Sequence, residues 1–214
     1  VVRALDIPVS PLRRLWQAAA VEADKDTAWI TSRIRDVQPL GREEQPVAHR
    51  GLTQAMWHPY TAYARAFLQS ERRAQQVAAE TFDILWLTWD QATVSPDATR
   101  YAWLLLRSKV IFCAPKRADG RPDLRAAAFS TVAQAELADL AERLARIDVL
   151  AQFFDTIAHL PPDQMDVTVL RYLCGTHPDA VPGIVGLSPA ITHTLDHHAR
   201  GALNALRPDT DTQE

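Results

Sequence analysis

Residues 160–206 read LPPDQMDVTVLRYLCGTHPDAVPGIVGLSPAITHTLDHHARGALNAL, and the fold class turns on how this stretch is punctuated. Pro161-Pro162 suits a first helical turn, whose amide donors have no intrahelical partners. Met165, Val169, Leu170 and Leu173 then recur at helical spacing, which predicts one buried face. Gly175 follows as a helix stop. A short piece covers residues 178–185, with Pro182-Gly183 inside it, where proline removes a backbone bond. Gly186-Leu187-Ser188 makes a tight turn. Ser188 is a good N-cap, and Pro189 takes the first helical position behind it. The last helix is expected to carry Ile191, Leu195, Ala199 and Ala202 or Leu203 inward. Thr192, His193, Thr194, His197, His198 and Arg200 are left for its other faces. Helix, short helix, glycine turn and polar-faced helix is the order of a helix-turn-helix.

Upstream, the same periodicity continues. Residues 130–154 carry Val132, Leu137, Leu140, Leu144, Ile147, Leu150 and Phe153-Phe154 at helical spacing. Residues 114–124, APKRADGRPDL, read as a hydrophilic linker. Residues 98–112 predict a helix with Tyr101, Leu104, Leu105, Ser108 and Ile111 in the core. Arg100, Trp103, Arg107 and Lys109 are then free for an outer face. Ser70 is placed to cap a helix running to about Trp89, with Ala74, Val77, Ala78, Thr81, Phe82, Leu85 and Trp89 inward. Tyr60 to Leu68 predicts one more helix. Residues 38–54 read as a loop, and residues 11–23 and 27–37 as two short helices.

Composition narrows the class. The 214 residues carry a net charge of −3, and their few glycines and plentiful alanine and leucine favour helix. The charge is unevenly spread: residues 57–117 hold eight basic and five acidic side chains, residues 118–214 seven and fourteen. Two distant cysteines, Cys113 and Cys174, without a charged-then-apolar leader, read as reduced thiols in a cytoplasmic protein. No apolar run reaches membrane-spanning length. His193 and His197 stand four apart, but no third and fourth metal ligand is evident, and no metal is expected. Glu80 and Asp83 lack the His, Ser or Cys partner that acid–base or nucleophilic chemistry needs. With no phosphate-cradling glycine loop and no nucleophile motif, neither enzyme activity nor a cofactor is expected.

LPPDQMDVTVLRYLCG, then GLS, then HHARGAL resembles region 4 of the extracytoplasmic-function sigma factors, whose usual form is LPxxQxxVxxLRYLxG, GxS and a helix ending in RARxxL. AQQVAAETFDILWLTWDQA followed by RYAWLLLRSKV resembles region 2 of the same family, AEDLVQETFLRAWRxW and then RAWLLRIARN. The resemblance covers roughly residues 57–206. It implies an all-helical protein with a region 2-like domain at 56–113, a linker at 114–129 and a region 4-like helix-turn-helix domain at 130–207. Residues 1–55 are an N-terminal extension outside it, and 208–214 a disordered tail.

The resemblance also implies roles. Gln75, Gln76, Glu80 and Asp83 would meet core RNA polymerase, with Gln75-Gln76 standing where the family has an acidic pair. Residues 89–97 would be a base-capturing loop, and Trp89, Arg100, Trp103, Arg107 and Lys109 would hold the melted downstream promoter element. Aromatic rings can offset the cost of strand separation by stacking on freed bases, while cations take the phosphates. Ser188, Thr192, His193, Thr194, His197, His198 and Arg200 would meet the upstream element, as the second helix of such a motif enters the major groove. Residues 160–206 hold only Arg171 and Arg200 against Asp163, Asp166, Asp179 and Asp196. Phosphate neutralisation supplies much of DNA affinity, so promoter reading is expected only in complex with polymerase. An anti-sigma protein is a further implied partner. Two alternatives stay open: a degenerate sigma-like regulator acting through protein contacts alone, and a stand-alone helix-turn-helix regulator.

Overall fold

The structure, a computed structural model, describes residues 7–35, 44–124 and 140–205, with the backbone alone for Arg35 and residues 140–148. Every regular element among them is helical, as expected, and a lone bridge joins Lys116 and Pro122. In chain order they are α1 (Val9–Glu22), α2 (Thr27–Arg35), α3 (Val47–Leu68), α4 (Glu71–Leu87), α5 (Trp89–Val94) and α6 (Ala98–Cys113). Then come α7 (Leu140–His159), α8 (Pro162–Thr168) with a π turn (Val169–Leu173), a 3₁₀ turn (Pro178–Ala180), α9 (Val181–Val185) and α10 (Pro189–Asn204). Val132, Leu137, the residue 130 helix start and residues 208–214 lie outside the described residues, and so does the last part of the linker.

The caps explain several boundaries. The Ser70 and Asp97 side chains accept from the Arg73 and Arg100 amides and start α4 and α6. Ser188 does the same for α10, accepting from the Ile191 amide. Gly175 and Gly186 both take the left-handed conformation that ends a helix. Pro182 falls in the first turn of α9. It therefore costs no helical bond, which corrects the expectation of a break there.

Two boundaries differ from the expectation. Residues 47–54 are the first two turns of α3 rather than a loop, with Pro46 just ahead of the helix where its missing amide donor is harmless. The 89–97 loop is mostly α5.

α3, α4 and α6 form the centre of the N-terminal half. Tyr60, Tyr63, Ala64 and Phe67 of α3 meet Ala74, Val77, Ala78, Phe82 and Leu85 of α4 and Ala102, Trp103, Leu106 and Val110 of α6. Tyr60 stacks on Phe82 at 5.3 Å, and Trp103 presents edges to Tyr60 and Tyr63. The same buried cluster continues without a break into Phe154, Ile157, Met165, Val167, Val169, Leu170, Val181 and Val185. The two halves thus share one core, and residues 114–124 lie against the molecule: Ala114, Pro122 and Leu124 are buried, and Arg117 pairs with Asp155 of α7.

His49 carries a pH dependence. It is buried, its ring Nε2 lies 3.0 Å from the Phe82 carbonyl oxygen, and Gln45 Nε2 lies 2.6 Å from its Nδ1. An imidazole protonated on Nε2 satisfies both contacts, donating to Phe82 and accepting from Gln45. Burial holds its pKa below the ordinary value, against the pull of the Phe82 carbonyl and of Asp83. A lowered histidine binds its proton more weakly folded than unfolded. Its contribution to stability is therefore full above about pH 6.5 and is lost as the pH falls from there through the lower folded value. Urea denaturation is expected to give a lower midpoint at about pH 5.5 than at about pH 7.5, and His49→Gln is expected to flatten that difference.

Candidate functional site

One buried carboxylate gathers three donors across the two halves. Asp166 of α8 is 1% exposed. It accepts from Tyr63 Oη at 2.7 Å, from Trp103 Nε1 at 3.0 Å and from Arg107 Nε at 3.1 Å. Burial pushes the Asp166 carboxyl up, while Arg107 and the three hydrogen bonds pull it down. Burial and the neighbouring Asp166 likewise raise Tyr63 well above a free phenol. Beside this cluster Arg100 donates to Asp163 at 2.8 Å and to the Val185 carbonyl at 3.3 Å. The turn at Gly186 lies so close to α6 that a Cβ there would stand 2.3 Å from the Arg100 backbone nitrogen.

These contacts rotate α6 relative to the expectation. Trp103 is fully buried, with no ring face left for a nucleotide in this arrangement. Leu104 is 42% exposed in its stead, and Ser108 is also on the surface. The reason is volume: the largest side chain of the run Ala102-Trp103-Leu104-Leu105-Leu106 fills the space between Tyr60 and Tyr63. Arg100 and Arg107 face the C-terminal half, and Lys109 pairs with Glu80 at 2.6 Å. Trp89 is half-buried, with its ring 5.1 Å from His49.

On α4, Gln75 is exposed and donates to Glu71 at 2.9 Å, and Gln76 donates to Glu80 at 2.8 Å. Glu80 and Asp83 are buried, contrary to a fully open partner face. Asp83 receives two bonds from Arg14 Nε, at 2.9 and 3.0 Å. The cover is α1, which belongs to the extension the resemblance leaves out.

In α10 the inward face is Thr192, Asp196 and Ala199, with Leu195 and Leu203 half-buried. Ile191 is 50% exposed, so it is not the core residue expected. Thr192 is buried in its place, and its hydroxyl bonds the Ser188 carbonyl at 3.0 Å. Ser188, His193, Thr194, His197, His198 and Arg200 are exposed. A cleft of about 290 Å³ lies beside His193, between Pro178, Pro182 and Pro189. Asp196 pairs with Arg171 and lies 3.0 Å from Arg200 Nε, which also donates to the Tyr172 hydroxyl at 2.8 Å. Arg171 and Arg200 are therefore both offset from within.

Asp196→Asn retains an acceptor for Tyr172 and releases Arg200. Arg171 and Arg200 then lose their counter-charge, and thermal melting is expected to show a loss of about 1–3 kcal/mol.

Sequence reasoning missed Tyr63, Asp166, Asp196 and Arg14, and only Asp166 carries a local signal, an acid inside an apolar helical run. Among the described residues no group of three or more His, Cys, Asp or Glu is placed to hold a metal ion, and no helix is long and apolar enough to cross a membrane. No protein-family model matches the chain, and a search of curated proteins finds no match either.

Proposed function

We propose that this chain is a sigma-like transcription initiation protein that binds core RNA polymerase through α4 and directs it to promoters. The observation that carries the reading is α9–Gly186–α10. A left-handed glycine and a serine cap set α10 across its neighbours with His193, Thr194, His197, His198 and Arg200 on one exposed polar side. That is the arrangement a groove-reading helix needs. It supports the region 4-like motif in the same residues. The arrangement described here is a closed resting form, because α6 meets DNA only after the C-terminal half leaves Arg100, Trp103 and Arg107. Polymerase holds the halves apart and so supplies the spacing. Co-purification of polymerase subunits with the tagged full chain tests this. Recovery of the core subunits supports it, and their absence refutes it.

One observation favours a second reading. Arg100, Trp103 and Arg107 are all engaged within the molecule. A regulator acting through protein contacts would keep them so. Polymerase binding with α6 still closed, seen as unchanged hydrogen exchange around Asp166 in the complex, selects that reading.

A further inference from the structure

We infer that α1 is a releasable cover on the α4 face that meets polymerase, held in cis by the charges a partner in trans would have to offer. The inference rests on α4 as the polymerase-binding helix. Arg73, Gln76, Glu80 and Asp83 fall on one stripe of α4, spaced three, four and three residues apart. α1 crosses that stripe antiparallel, since Arg14 pairs with Asp83 at 2.5 Å and Glu22 with Arg73 at 2.5 Å. The Arg14 guanidinium also lies over Trp86, 5.7 Å from the ring centroid. A competing partner therefore presents a cation at the Asp83 end and an anion at the Arg73 end.

The manner of docking makes α1 releasable. It buries only Pro11 and Ala20, whereas α3 buries six residues. Of its large apolar side chains, Leu12, Trp16 and Val21 stay 38, 39 and 57% exposed, and Val9 and Leu15 are only half-buried. Trp16 stacks on Trp29 of α2 at 5.9 Å rather than on α4. Little apolar area thus fixes α1 to α4, and the ion pairs at its two ends carry much of the docking. Half-exposed pairs of this kind shift an equilibrium by a factor of about five or less each, and salt screens them.

A cover that is mostly closed lowers apparent affinity by the fraction of molecules that are open. The test compares full chain with Arg14→Glu/Glu22→Arg, which reverses both charges on α1 and leaves α4 untouched. Core polymerase affinity is expected to rise roughly tenfold at low salt, and the gap is expected to close at high salt. Hydrogen exchange over α1 is expected to quicken in parallel. Arg14→Ala/Glu22→Ala, a milder change that guards against misfolding, is expected to move both readouts the same way by less. Equal or weaker binding by the variants, with the parent chain binding normally, overturns the cover alone. Unchanged exchange over α1 overturns the ionic docking. If no form binds polymerase, the sigma-like reading falls and the competition with it.

Discussion

Asp166→Ala is expected to cost the folded chain about 3–5 kcal/mol and to part its two halves. The carboxylate is the common acceptor for three donors from two other helices. Trp103 Nε1 has no other role to take up, because an indole nitrogen only donates. Tyr63 is equally buried, and Arg107 would be left without its counter-charge. An ion pair of this kind adds little net stability over an apolar filling of the same shape, but removing one member alone leaves the others desolvated. Asp166→Asn separates the two effects. With its carbonyl in the place of Oδ1 it still accepts from Tyr63 and Arg107, while its amide faces the Trp103 N–H, so a loss of roughly 1–3 kcal/mol is expected. Urea denaturation gives the energies, and small-angle scattering gives the separation of the halves. A loss below about 1 kcal/mol for Asp166→Ala would mean that the apolar core and the remaining polar contacts join them without it.

Gly186→Ala is the second large effect. Gly186 has φ +65°, and so does its near twin Gly175 at +66°. The left-handed conformation costs a residue with a Cβ roughly 1–2 kcal/mol at either place. Only at Gly186 does the added carbon meet something, the backbone and Cβ of Arg100 at 2.3, 2.6 and 2.8 Å. Backbone at the N-terminus of α6 cannot swing aside as a flexible side chain can. The turn must lift, and Arg100 then loses the Val185 carbonyl and its grip on Asp163. Overpacking of this kind costs a further ~1–3 kcal/mol. Gly186→Ala is expected to lose about 2–5 kcal/mol and Gly175→Ala about 1–2. Thermal melting of the pair checks it, and equal losses would show that α9 and α6 do not press together.

Local chemistry was readable wherever a residue's partner is close in sequence. Ser70, Gly175, Gly186, Ser188 and Pro189 punctuate the chain as their types require, and the helices fall between them. Rotational phase was harder. Along α6 the run 102–106 is apolar throughout, so periodicity alone cannot say whether Trp103 or Leu104 points inward. The shape of the Tyr60–Tyr63 pocket decides it, and those tyrosines are some forty residues away. In α10, Ile191 and Thr192 compete for one inward place. Thr192 takes it, beside Arg171 and Asp196, and hydropathy along the helix does not show that. Pro46 and Gly51 together suggested a loop, yet one precedes a helix and the other is tolerated near its start.

The site residues split the same way. Arg100, Arg107 and Lys109 carry the charge that suits phosphate, but a charge pattern does not show which carboxylates will claim it first. Asp163, Asp166 and Glu80 claim those three. Likewise nothing in residues 9–22 announces that Arg14 and Glu22 are spaced to match Asp83 and Arg73 across an antiparallel helix pair.

As a sigma-like protein of the kind we propose, this chain opens on polymerase and starts transcription at chosen sites. Run-off transcription with purified core RNA polymerase on a library of genomic fragments tests it most directly. Discrete transcripts that core alone does not make are expected, and so is their loss when α10 carries His193→Glu and Arg200→Glu. Polymerase that gains no start sites in the presence of the full chain would contradict it.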